Sequence, residues 1–170
     1  MTTALILVDF QNEWINKDSA DYVGDLKDVI ANTNKLIAHA RKNKWKIIWT
    51  RHEEPEDAET FKPESKGVEL IPTLDFSEDD SVIVKNVVSP FLNNTLDEEL
   101  GEAEDVIIAG ILTNMCVRMT VEECYDRGLN ITIVKDCCAT FDKETHEFTL
   151  KDLKATREEI EVKSVNELNN

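Results

Sequence analysis

Three residues of complementary chemistry stand where apolar runs end. Asp9 closes the run at 4–8 and Lys85 the run at 82–84, while Cys116 follows the run at 106–109 through Gly110-Ile111-Leu112-Thr113-Asn114-Met115. Brought together, they would make a nucleophile, a base to take its proton and a cation to stabilise the resulting charge. If Thr113 or Asn114 caps a helix, Cys116 falls in its first turn, where free N–H groups and the helix dipole favour a thiolate. Backbone N–H groups near Leu112 and Cys116 would then hold the oxyanion of a tetrahedral intermediate. Taken singly, each residue has an ordinary explanation: a turn-forming aspartate, a solvated lysine, a small core cysteine.

A parallel sheet would gather them. Residues 4–8 (ALILV) form an unbroken apolar run of strand length, the pattern of a strand covered on both faces. Further strands are predicted at 45–50, 81–85, 106–109, 131–134 and 160–162, with Gly110 breaking the fourth. Apolar residues at helical spacing predict helices at 26–40, 93–100, 114–127 and 144–154, with Gly128 stopping the third. This alternation predicts an α/β doubly wound sheet with helices on both faces. Ligands bind such sheets at the carboxyl ends of the strands, where Asp9 and Lys85 stand. The acid- and proline-rich stretch at 52–80 is either a solvated loop or a lid or binding loop.

Composition narrows the function. The chain has 170 residues and a net charge of −16, so one domain spanning 1–170 is expected. Its surface would repel phosphate, which argues against nucleic acid and anionic membrane as partners. The longest apolar run, 106–112, falls well short of the ~20 residues that span a bilayer. The first basic residue is Lys17 and Asp9 follows the first apolar run at once, which does not suit a signal peptide, so a cytoplasmic location is expected. Cys116, Cys124, Cys137 and Cys138 form no C-x-x-C and are expected as free thiols, with Cys137 and Cys138 structural. The five glycines form no G-x-G, so neither a dinucleotide fingerprint nor a Walker A loop is present, and no G-x-S-x-G elbow occurs. Gln11 and Asn12 follow Asp9 where an aspartyl-phosphate enzyme expects a second acid. His39, His52 and His146 are too scattered to point to a Cys-His dyad.

An ordered set of motifs then resembles the isochorismatase-like cysteine hydrolases, the family that includes nicotinamidases. The matching pieces are ALILVDFQNEW at 4–14, KNVVSPF at 85–91, GILTNMCVRMT at 110–120 and VKDCCAT at 134–140. The resemblance implies a three-layer, Rossmann-like fold with a six-stranded parallel sheet. It implies an Asp-Lys-Cys triad on Asp9, Lys85 and Cys116, and a cis peptide between Ile111 and Leu112 that aims the Leu112 and Cys116 amides into an oxyanion hole. Trp14 takes the place of an aromatic residue that lines the family's substrate pocket, with core packing as the competing role. It also suggests a homodimer or larger homo-oligomer.

The chain departs from the nicotinamidases at their metal motif, Asp-x-His-Pro. Here Thr50-Arg51-His52-Glu53-Glu54-Pro55 puts His52 and Glu54 at the two ligand positions, and a further histidine has no counterpart. No metal or cofactor is therefore assigned. Ser89-Pro90-Phe91 replaces the family's usual Ser-Ala-Phe. Retention of Cys116 favours acyl transfer, so the expected activity is hydrolysis of a small carboxamide or N-carbamoyl compound through a thioester. The alternatives are vinyl-ether hydrolysis on the same scaffold, or a non-catalytic binding or scaffold role.

Overall fold

The computed structural model describes residues 2–169. Six strands form one all-parallel sheet: β1 (Thr2–Val8), β2 (Lys46–His52), β3 (Ser81–Lys85), β4 (Ala103–Ile111), β5 (Asn130–Ala139) and β6 (Glu161–Lys163). Their order is β3-β2-β1-β4-β5-β6. The helices α1 (Lys27–Lys42), α2 (Leu96–Leu100), α3 (Arg118–Asp126) and α4 (Lys143–Thr156) complete a three-layer α/β architecture. The apolar run of β1 is buried from Ala4 to Val8 because it pairs on both sides, Leu7 lying between Trp49 of β2 and Ala109 of β4. Each long helix buries one stripe, Leu36, Ile37 and Ala40 on α1 and Leu150 and Leu153 on α4, where Asp142 caps the helix by accepting from the Thr145 N–H at 2.8 Å.

The chain lays β2 and β3 to one side of β1 and β4, β5 and β6 to the other. Strand order therefore reverses between β1 and β4, and such a switch point opens a crevice at the carboxyl ends of the two strands. Asp9 and the segment after Ile111 stand at that crevice.

Three predicted boundaries shift. Gly110 does not end β4: the strand continues through it to Ile111. Gly110 has φ +152°, and a Cβ placed there would lie 2.6 Å from Val8 Cβ and 2.8 Å from Val8 Cα, so the glycine lets β1 and β4 approach closely rather than stopping a strand. Strand β5 also runs on to Ala139, so Cys137 and Cys138 lie within it, buried, rather than at its end. The predicted helix at 93–100 contracts to the five residues of α2.

Gly110→Ala is expected to destabilise the protein by about 2–3 kcal/mol, the cost of forcing a methyl against packed backbone. Urea unfolding midpoints for the two proteins measure the difference.

Candidate active site

The buried end of the crevice is built around Lys85. Its ammonium lies 2.8 Å from Asp9 Oδ2 and 3.4 Å from Cys116 Sγ, and donates to the Val87 carbonyl at 3.2 Å. His52 Nδ1 lies 3.5 Å away. The Asp9 and Lys85 side chains are wholly buried, and Cys116 keeps 7% of its surface exposed. The three residues singled out from the sequence are thus brought together, each from its own segment: the end of β1, the end of β3 and the turn after β4.

Thr50 on the neighbouring strand β2 fixes Asp9. Its hydroxyl donates to Asp9 Oδ1 at 2.6 Å, and Trp14 Nε1–H donates to the Asp9 carbonyl at 2.7 Å. Asp9 itself has φ +52°, a left-handed conformation that aspartate tolerates better than most side chains. Among the described residues, Asp9 Oδ2 has the Lys85 ion pair and no further hydrogen bond, which leaves it a lone pair for a proton.

Cys116 departs from one expectation. It lies in a π-helical turn, Thr113–Val117, that leads into α3, and no side chain caps that turn. Thr113 and Asn114 are otherwise engaged: the Thr113 hydroxyl meets His146 Nδ1 at 2.8 Å, and Asn114 Oδ1 accepts from the Thr140 hydroxyl at 2.6 Å. Burial pushes the Cys116 thiol up to about 12, the Asp9 carboxylate adds to the rise, and Lys85 opposes it. Burial and the Asp9 carboxylate thus work against the thiolate that a place in a helical first turn would favour. Cys124 and Cys138 are likewise pushed up to about 12 by burial. The Ile111–Leu112 peptide is cis.

Above Cys116 the crevice widens into a cleft of about 520 Å³. Trp14, Phe61 and Phe141 line it, the Trp14 ring centroid lying 4.7 Å from that of Phe61 and 6.4 Å from that of Phe141. Trp14 therefore combines a cleft wall with a structural hydrogen bond to Asp9. The stretch at 52–80 is not a free loop: Gln11 Nε2 donates to the His52 carbonyl at 2.7 Å and to the Val68 carbonyl at 3.1 Å, and its Oε1 accepts from the His52 N–H at 2.8 Å. That clamp seats Phe61 in the cleft. Four contributors escaped the sequence: Thr50, Gln11, Phe61 and His146. The strand pairing of Thr50 beside Val8 and the glutamine two residues after Asp9 carry the only usable signals, and they are weak ones.

His52 and Glu54 do not form a metal centre with the residues present. Their side chains bond each other, Nε2 to Oε1, at 2.7 Å, and the other ring nitrogen faces the Lys85 ammonium. Among the described residues no third His, Cys, Asp or Glu joins them in a cluster able to hold an ion.

The chain belongs to the isochorismatase family: the Isochorismatase domain model matches residues 3–163. It is 30% identical over 143 residues to an uncharacterized isochorismatase family protein of Bacillus subtilis, YddQ, covering 82% of this chain and 79% of that protein. It is 27% identical over 165 residues to nicotinamidase 3 of Arabidopsis thaliana, covering 88% and 79%. In three dimensions an isochorismatase family protein from Desulfovibrio vulgaris superposes with a TM-score of 0.92 over 99% of this chain and 96% of that one, at 19% identity. The protein is an isochorismatase-family hydrolase.

Two outcomes follow from this geometry. Lys85→Met leaves the Asp9 carboxylate buried without its partner and is expected to cost about 3–5 kcal/mol of stability, part of which Asp9→Asn restores in the double variant; urea unfolding reads both. Asp9→Asn removes a negative charge that raises the Cys116 pKa, so the thiol should ionise at lower pH than in the wild type. Thiolate absorbance against pH, with a Cys116→Ala counterpart subtracted, shows the direction.

Proposed function

We propose that the protein is a cysteine hydrolase that cleaves a small amide, a carboxamide or an N-carbamoyl compound, through a thioester on Cys116. The convergence of Asp9, Lys85 and Cys116 beneath one cleft carries this assignment. Cys116 Sγ attacks the carbonyl carbon while its proton passes to Asp9 Oδ2, the oxygen with a spare lone pair. Lys85, in contact with both groups, stabilises the negative charge as it moves between them. The backbone N–H groups of Leu112 and Cys116 receive the oxyanion. Collapse breaks the C–N bond, and the leaving nitrogen takes the proton from Asp9. Water then loses a proton to Asp9 and attacks the thioester; the acid departs and Cys116 recovers its proton.

The raised thiol pKa suits this sequence. With the thiol pKa pushed up, proton removal accompanies formation of the carbon–sulfur bond, which places the base requirement on Asp9. A nicotinamidase among the relatives supports a carbon–nitrogen bond as the target. Vinyl-ether hydrolysis does not require a thiol nucleophile, so Cys116 separates the two activities.

Ammonia release from a panel of small carboxamides and N-carbamoyl compounds is the test. Cys116→Ala is expected to lower kcat by about 10³-fold or more, the scale of losing a covalent nucleophile, while Cys124→Ala, buried on α3, retains the wild-type rate. Equal rates in both variants would contradict a thioester mechanism and favour vinyl-ether chemistry.

A further inference from the structure

The walls of the cleft also select for charge. Trp14, Phe61 and Phe141 present aromatic rings to it, and their π-faces attract cations. Three carboxylates line the same space: Asp9, whose charge Lys85 matches, and Asp21 and Glu54, neither of which has a lysine or arginine partner among the described residues. Among the described residues no side chain pairs with the carboxylate of Asp21, and Glu54 is held only by the imidazole of His52, at 2.7 Å. No lysine or arginine lines the cleft, and the imidazole that does, His52, is taken up by Glu54. Lys85 lies beneath its floor, 1% exposed, with its charge matched by Asp9 at 2.8 Å, so it offers no free cation to an acidic substituent. An anionic group entering here would meet the Asp21 and Glu54 carboxylates, aromatic faces and the field of a chain carrying −16.

We infer that the substrate is a cationic amide, one that carries an alkylammonium or similar positive group apart from its scissile carbonyl. The carbonyl lies over Cys116, and the cation sits among the Trp14, Phe61 and Phe141 rings with Asp21 and Glu54 beside it. This selectivity rests on the assignment of Cys116 as a nucleophile open to the cleft. It makes Asp21, Glu54 and Phe141 specificity residues that take no part in bond breaking. Their removal changes which molecules reach Cys116, not the chemistry there.

Charge-matched thiol reagents test the inference without a known substrate. Three methanethiosulfonates are used: the neutral methyl compound, the 2-(trimethylammonio)ethyl cation and the 2-sulfonatoethyl anion. The rate of mixed-disulfide formation at Cys116 is read by peptide mass spectrometry. Each rate is divided by that of the same reagent with 2-mercaptoethanol, in about 0.15 M salt to damp distant charges. The cation is expected to outpace the anion by about tenfold or more, since two partly exposed carboxylates each contribute a few-fold. Asp21→Asn with Glu54→Gln should remove most of that preference. Asp28→Asn with Glu158→Gln, which deletes two carboxylates that do not line the cleft, should keep it. Phe141→Leu should slow the cation and leave the anion unchanged. Equal cation and anion rates in the wild type, or equal loss of preference in both double variants, would overturn the inference while Cys116 stays reactive. Failure of the neutral reagent to label Cys116 ahead of Cys124, Cys137 and Cys138 would instead overturn the nucleophile assignment on which it rests.

Discussion

The ion pair between Asp9 and Lys85 is the interaction around which the carboxyl edge of the sheet is organised. Two charges withdrawn from water carry a desolvation cost of several kcal/mol each, and their attraction offsets it only if the remaining polar atoms are satisfied. Here the Thr50 hydroxyl and the Val87 carbonyl supply two such bonds and, among the described residues, leave Asp9 Oδ2 with the ion pair alone. Apolar residues of similar volume would pack at least as well, so stability alone does not account for the pair. What it does provide is a carboxylate with a spare lone pair and an ammonium in reach of a sulfur, both held rigid beneath a cleft. The raised pKa of Cys116 belongs to the same arrangement: burial is its main cause, and the Asp9 carboxylate beside the thiol adds to it.

Parallel topology places these groups together. Strand order reverses between β1 and β4, and Asp9 and the turn carrying Cys116 leave the sheet on either side of that reversal. Gly110 allows the two strands to approach where a side chain would keep them apart. Gln11 then ties β1 to the stretch after β2, which converts a long irregular segment into a cleft wall that holds Phe61. The turn after β4 is braced from the opposite side by His146 and Thr140. Burial keeps the His146 imidazole, which meets the Thr113 hydroxyl, below its usual pKa.

Much of this frame was legible in the residues themselves. Continuous apolar runs such as 4–8 and 106–109 read as buried parallel strands because nothing polar interrupts them, and the polar residue that ends each run marks the edge where chemistry can occur. The site became legible for the same reason: Asp9 and Lys85 sit at strand ends, and position in a strand is a local property. What depends on contacts between distant segments was not legible. Gly110 looked like a strand breaker because its close approach to Val8 is invisible along the chain. Thr113 and Asn114 looked like caps, since their actual partners, His146 and Thr140, arrive from residues far downstream. The upward push on the Cys116 thiol was not legible for a related reason: helix position was apparent, whereas burial beside Asp9 was not.

We infer that Asp9 and Lys85 make Cys116 the nucleophile of this protein. Competition of the four cysteines for limiting iodoacetamide at neutral pH, read by peptide mass spectrometry on the folded protein, tests it most directly. All four thiols are raised in pKa by burial, and of the four only Cys116 lines the cleft. With Asp9 taking the proton as sulfur attacks, Cys116 should alkylate far ahead of Cys124, Cys137 and Cys138. Alkylation of Cys116 no faster than the other three would contradict the account.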